Sequence, residues 1–319
     1  MRKVLIYLLT VWLFTAGLTA CSVDHEQTNI GESAKLVLTG TIGNHSATRA
    51  SNGLMESFNN TPVNVYLFDN NGNAVGDSPM EYIVAADGTM TPPNGNNVYL
   101  PDDITEVSAF GFYPTGIQIQ ENGTVSLTVV QNQNDNSDYL ASDLLFARVD
   151  APKTDAVGNI ITKTLNFNHL MAKVVINVTM KPAELTLLKV EIANVKKTVS
   201  FTPSTYNFAY SLDGLTSSDQ CNESNDMVVA NNVQRQGQLS NEAALIAPQA
   251  FGTLEGETKF IRMDTSAGIA WYAVSGAVDF LPGCTYTLNL AVRTDAIGTT
   301  TVIKNWELAV DKSYEITLE

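Results

Sequence analysis

Apolar and polar residues alternate with a period of two along most of this chain, the pattern of half-buried strands. The first clear case is Lys35–Ile42, where Leu36, Leu38 and Ile42 share one face with Gly40 between them. Val63–Phe68 follows and ends in the turn Asp69-Asn70-Asn71-Gly72-Asn73. Ile104–Tyr113 reads as a buried strand stopped by Pro114. Ile117–Gln120 and Thr124–Val129 flank Asn122-Gly123, which predicts a hairpin. Gln131–Asp138 reads as a polar loop and Asp143–Ala147 as a short apolar segment. Ala172, Val174, Ile176, Val178 and Met180 then alternate against Lys173, Asn177 and Thr179.

Lys181-Pro182 breaks that run and marks a domain boundary. Beyond it come strands at Leu185–Val195 and Thr198–Phe201, then a polar stretch, Ser211–Gln238, expected to be a surface excursion. Thr258–Met263 and Ile269–Val274 predict a hairpin about Asp264–Gly268. Thr285–Val292, Thr301–Val310 and Tyr314–Leu318 close the chain. No amphipathic helix of more than three turns is expected after residue 21. Strands punctuated by turn residues point to an all-β chain of sandwiches.

Composition agrees. Of 319 residues, 44% are apolar, ample for real cores, and only 16% are charged, so Asn, Thr, Gly and Ser carry the polar surface. The net charge is −15; without Arg2 and Lys3 it falls to −17. Such a chain repels phosphate backbones, so no nucleic-acid partner is expected.

The first residues look like an export signal. Arg2-Lys3 precedes an apolar run, Val4–Gly17, that is short for a membrane span. Leu18-Thr19-Ala20-Cys21 then fits lipoprotein processing, with Cys21 acylated and residues 1–20 removed. The alternative is an ordinary cleaved leader. Ser22–Gly31 reads as a flexible tether. Cys221 and Cys284 remain, bridged or as separate thiols.

Catalytic chemistry is hard to find. The three histidines, His25, His45 and His169, are scattered, with no HExxH, GxSxG, Cys-x-x-Cys or phosphate-loop motif. Asp69–Asn73 and Asp102-Asp103 are better read as turns than as calcium ligands. No enzyme activity, cofactor or metal is expected. Tyr206, Phe208, Tyr210, Trp271 and Tyr272 are candidates for a glycan platform, although aromatics on strands more often pack in cores.

Ser142-Asp143-Leu144-Leu145-Phe146-Ala147, followed by Leu165-Asn166-Phe167-Asn168-His169-Leu170-Met171-Ala172-Lys173-Val174, resembles the paired signature of fimbrillin-like proteins, the subunits of type V pili. Pro282–Val292 is similar to that family's late strand, and Trp306 falls where such chains often carry a Trp. The resemblance implies two tandem transthyretin-like Greek-key β-sandwich domains after a lipoprotein signal peptide. Their expected limits are 50–181 and 182–319, with 21–49 as a tether and removable strand. It further implies transport to the outer membrane, held by the lipid on Cys21, and cutting between Arg49 and Ala50 by an arginine-specific protease. The strand bearing Leu36, Leu38 and Ile42 would leave, and other fimbrial subunits would exchange strands. Residues 301–318, with Val302, Trp306, Leu308 and Val310 on one face, are the donor candidate. The role implied is a fimbrial structural subunit that supports adhesion. Alternatives are an uncut anchor or tip adhesin that meets a host or bacterial receptor, and a glycan-binding surface lipoprotein.

Overall fold

A computed structural model describes residues 33–43, 55, 57–181, 184–222, 226–293 and the strand at 312–317. The architecture is all-β, as expected. The first group comprises β1 (Ala34–Ile42), β2 (Thr61–Asp69), β3 (Met80–Val84), β4 (Met90–Thr91), β5 (Val98–Leu100), β6 (Glu106–Tyr113) and β7 (Val125–Thr128). A short helix, α1 (Asn136–Ala141), precedes β8 (Leu145–Pro152) and β9 (Ile160–His169). The second group comprises β10 (Ala172–Lys181), β11 (Thr186–Ile192), β12 (Lys196–Phe201), β13 (Thr216–Gln220), β14 (Met227–Gln236) and β15 (Gln238–Ile246). It continues with β16 (Gln249–Phe251), β17 (Glu257–Thr265), β18 (Gly268–Ser275), β19 (Val278–Phe280), β20 (Thr285–Arg293) and β21 (Lys312–Thr317).

An eight-stranded sheet runs in the order β4-β3-β2-β6-β8-β9-β1-β5. An isolated bridge between Thr39 and Thr89 brings its β4 end round against β1. Strand alternation sends the side chains of this sheet into two separate cores. Val63, Val65, Leu67, Val107, Ala109, Leu145 and Ala147 enter the first core. Their neighbours Tyr66, Phe110, Phe112 and Phe146 enter the second. With both faces covered, β6 reads as a continuous apolar run, as the sequence suggests.

The second core is walled by the sheets β15-β10-β20-β21 and β14-β11-β17-β18, with β13-β12-β7 and the pair β16-β19. β10 and β20 run parallel, Lys173 opposite Thr285 through Lys181 opposite Arg293. The hairpin β17–β18 forms as expected.

Three local readings change. The Asn122-Gly123 turn forms, with the Gly123 N–H donating to the Gln120 carbonyl at 2.8 Å. Its two arms meet only at the turn, where the Gln120 N–H donates to the Thr124 carbonyl at 2.8 Å, and no strand ladder extends from it. Ile117 is buried and its carbonyl accepts from Tyr66 Oη at 2.9 Å, while β7 pairs with β12, Val125 opposite Phe201. Tertiary burial thus overrides the local turn signal. The stretch Ser211–Gln238 is not a plain excursion, because it holds β13 and β14. Met227, Val229 and Ala230 anchor β14 in the core, whereas β13 is an almost wholly exposed edge with no apolar alternation to read. Asp135 caps α1 by accepting from the Ser137 N–H at 2.8 Å, so the expected loop at Gln131–Asp138 ends in a helical turn.

Phe167 is the wedge of the first core. It is fully buried, sits edge-on to Phe58 with centroids 5.2 Å apart, and lies so close to Gly111 that a Cβ there would be 2.6 Å from its ring. Phe167→Ala is expected to lower unfolding stability by about 3–5 kcal/mol, measured by denaturant titration. Loss of under 1 kcal/mol would mean that the ring is not a structural wedge.

Candidate strand-exchange site

The residues from Lys35 to Ile42 form a strand because β-branched and apolar residues alternate with no Pro among them. β1 lies between β9 and β5. It runs parallel to β9 in unbroken register, from Lys35 opposite Ile160 to Ile42 opposite Phe167. On its other side it meets β5 only at Ala34, Leu36 and the residue between them, and then the lone bridge at Thr39. One edge of β1 is therefore bonded continuously and the other in patches.

The inward row is Ala34, Leu36, Leu38 and Gly40. Ala34, Leu36 and Leu38 are buried in the first core, with Leu38 only 2% exposed, and Ile42 packs half-buried at its margin. The two leucines together contribute about 3–6 kcal/mol of apolar burial. The outward row makes polar contacts to β9: Thr39 Oγ1 with Thr164 Oγ1 at 2.9 Å, and Thr41 Oγ1 donating to Asn166 Oδ1 at 2.7 Å. Both ends of the strand are pinned. The Lys35 N–H donates to the Asn159 carbonyl at 2.8 Å, and the Gly43 N–H to the Phe167 carbonyl at 2.7 Å.

A clasp holds the middle. The Gly40 N–H donates to the Gly88 carbonyl at 2.8 Å, from a tight turn in which Ala85 N–H donates to the Thr89 carbonyl at 2.9 Å. Asp87 accepts from the Thr89 N–H at 2.9 Å, and that bond holds its carboxyl below the usual range. Gly88 has φ +85°, and a Cβ on it would lie 2.8 Å from the Gly40 carbonyl oxygen. Glycine is thus required in the clasp by both conformation and space. Asp87-Gly88 is ordinary turn chemistry, and nothing in those residue types marks a contact with β1.

The signature residues Asp143 and His169 meet. His169 Nδ1 is 2.7 Å from Asp143 Oδ1, and both side chains are buried. The Met55 N–H donates to Asp143 Oδ2 at 3.4 Å, so the pair fastens the chain where it re-enters after β1. Tyr113 and Tyr139 lie close enough that burial, and then the Asp143 charge, push both phenols upward.

Other candidates fall apart as sites. Asp69 accepts from the N–H groups of Asn71 (2.9 Å) and Asn73 (2.7 Å), a turn rather than a cation cradle. Among the described residues no cluster of His, Cys, Asp and Glu is placed to hold a metal. Tyr206 and Tyr272 are in the second core, Phe208 and Tyr210 pair edge-to-face at 5.4 Å, and Lys259 lies 4.7 Å over Trp271. Cys221 and Cys284 are free, and burial pushes the Cys221 thiol up to about 11. Cys21, Arg49 and Ala50 lie outside the described residues, as do Val302, Trp306, Leu308 and Val310. β21 covers part of the last alternating run and lies parallel to β20, Leu288 opposite Lys312.

A family model described as fimbrillin-like matches residues 48–306. A candidate cell adhesion protein from Bacteroides uniformis has a similar structure, with TM-score 0.51 at 15% identity over 80% of this chain and 91% of that one. Another, from Bacteroides ovatus, gives TM-score 0.51 at 16% identity over 77% of this chain and 89% of that one. These likenesses concern the fold. No curated protein matches.

The inward and outward rows of β1 call for opposite responses to charge. Leu38→Asp is expected to detach β1, since an unpaired buried charge costs about 3 kcal/mol or more, while Val37→Asp, one residue away and half-buried, leaves it seated. Amide exchange over residues 34–42 reads this: at least about a hundredfold faster in Leu38→Asp and near wild type in Val37→Asp. Equal protection in the two would show that the apolar row does not hold the strand.

Proposed function

The chain belongs to the fimbrillin-like family, and from that premise we propose that it is a fimbrial structural subunit that assembles by exchanging β1 for another subunit's strand. Family membership carries a fimbrial or adhesive role at the cell surface. The finer steps are our reading. The precursor is exported, acylated at Cys21 and carried to the outer membrane. A protease cuts between Arg49 and Ala50. β1 then leaves, and the slot beside β9 takes an incoming strand, while residues 301–318 are offered to a neighbour. On this reading the two cores belong to two sandwich modules, but β10 walls the second core with the later strands, so the division falls ahead of Ala172 and not at the expected Lys181-Pro182.

One observation carries the proposal. β1 fills a slot in the first core and is bonded continuously to a single neighbour. Its removal would leave unpaired backbone groups along β9 and an open apolar groove, the combination that strand addition repairs. Each restored backbone bond is worth about 1 kcal/mol net.

The distribution of arginines supports the cut. After the leader the chain has five: Arg49, Arg148, Arg235, Arg262 and Arg293. The last four all lie in strands, in β8, β14, β17 and β20. A protease must draw several residues into its cleft in extended form, which a strand bonded to its neighbours resists.

An arginine-specific protease acting on the full precursor is expected to give Ala50 as the new N-terminus before any other cut, and then larger assemblies in light scattering. First cleavage at Arg235 or another strand arginine would count against the reading. So would a protein cut at Arg49 that stays monomeric. If the native surface protein keeps both its lipid and the Arg49–Ala50 bond, the anchor or tip role replaces that of a matured subunit.

A further inference from the structure

We infer that the β1 slot selects its incoming strand by size at one level, accepting glycine or alanine where Gly40 now lies, and so takes its strand from a different kind of subunit rather than from a second copy of this chain. The inference rests on the exchange reading above and narrows its partner.

The slot has uneven depth along its length. At the levels of Leu36 and Leu38 it accommodates whole leucine side chains in the first core. At Gly40 it is shallow. A Cβ built there would lie 3.2 Å from Val84 Cγ1, 3.3 Å from Met90 Sδ and 3.5 Å from Phe167 Cε2. Val84 and Met90 come from the β3–β4 hairpin and Phe167 from β9, and all three are buried. A methyl group requires Val84 and Met90 each to give by a few tenths of an ångström. A larger group runs into buried atoms on several sides, and overpacking of this kind is destabilising. The Gly88 carbonyl also takes the N–H at this level, so Pro is unsuitable.

An incoming strand in this register therefore needs two apolar residues at alternate positions followed, two further on, by a small one. Residues 301–319 contain no glycine. With Val302, Trp306, Leu308 and Val310 inward, every inward position is large. Ala309 is small, but the residues two and four before it are Glu307 and Asn305, polar where the slot is apolar. In the last run, Ser313 follows Asp311 and Ala309. None of these segments reproduces the row Ala34, Leu36, Leu38, Gly40. The chain thus gives its C-terminal strand to a slot of another shape and receives a strand that carries the small residue.

The test uses the chain cut after Arg49 and freed of its N-terminal fragment, with synthetic peptides as probes. Peptide 33–43 is expected to rebind. Its Gly40→Ala form should bind within about threefold, and its Gly40→Leu form about ten- to a hundredfold more weakly. Peptides 300–310 and 311–319 should bind at least as weakly as the Gly40→Leu form. Failure of peptide 33–43 itself to rebind would overturn the exchange reading. Rebinding of peptide 33–43 with equal affinity for the Gly40→Leu form or for peptide 300–310 would leave that reading standing and overturn the size selection. In the uncut chain Gly40→Leu should lower Tm clearly and Gly40→Ala little; equal melting of the two would also overturn it.

Discussion

A strand inside a sheet has two backbone edges to satisfy, and β1 satisfies them unequally. Along β9 every residue from Lys35 to Ile42 has its partner, while on the other side β5 and a single bridge cover only part of the length. The arrangement therefore depends on one parallel ladder and on the leucines beneath it. Without β1, the backbone of β9 loses a neighbour, and Leu100, Ile161, Leu165 and Phe167 lose their cover on one side of the core. The cost of an empty slot is what makes the site able to bind: the groups that need β1 need any strand that supplies the same bonds and burial.

The rest of the first sheet keeps that slot in shape. Phe167 is held between Gly111, where there is no side chain to displace it, and the edge of Phe58. Phe58 belongs to the segment that re-enters just after β1, and this segment is fastened by Asp143 and His169. The signature that suggested the family thus has a physical role, joining the end of β9 to the turn before β8 and to the returning chain. On the far face, Tyr66, Phe110, Phe112 and Phe146 tie the same sheet into the second core. The slot is therefore set into a sheet packed on both faces, which favours binding through preorganisation.

Much of this was legible in the sequence. The alternation in Lys35–Ile42 fixed both the strand and its buried face, and Asp69–Asn73 and the β17–β18 hairpin were read from local chemistry alone. What periodicity cannot give is the partner. Nothing near β1 in sequence says that it pairs with residues 160–167, and nothing near Asn122-Gly123 says that β7 pairs with β12, because those choices follow from which apolar faces meet across the fold. β13 escaped because an exposed edge strand of Thr, Ser, Asp and Gln has no apolar row. The depth of the slot at Gly40 carried one usable signal: a glycine inside an otherwise regular strand marks close approach by other groups.

The central claim is that β1 must leave its place for the protein to assemble. A reversible lock tests it most directly. Val37 and Thr162 lie side by side on the outward face of β1 and β9. Replacing both by cysteine allows a disulfide to tie the strands without touching the core, given the spacing of neighbouring strands. After cutting at Arg49, the locked protein should remain monomeric under oxidising conditions and assemble when reductant is added. Assembly at the wild-type rate with the disulfide intact would contradict the account.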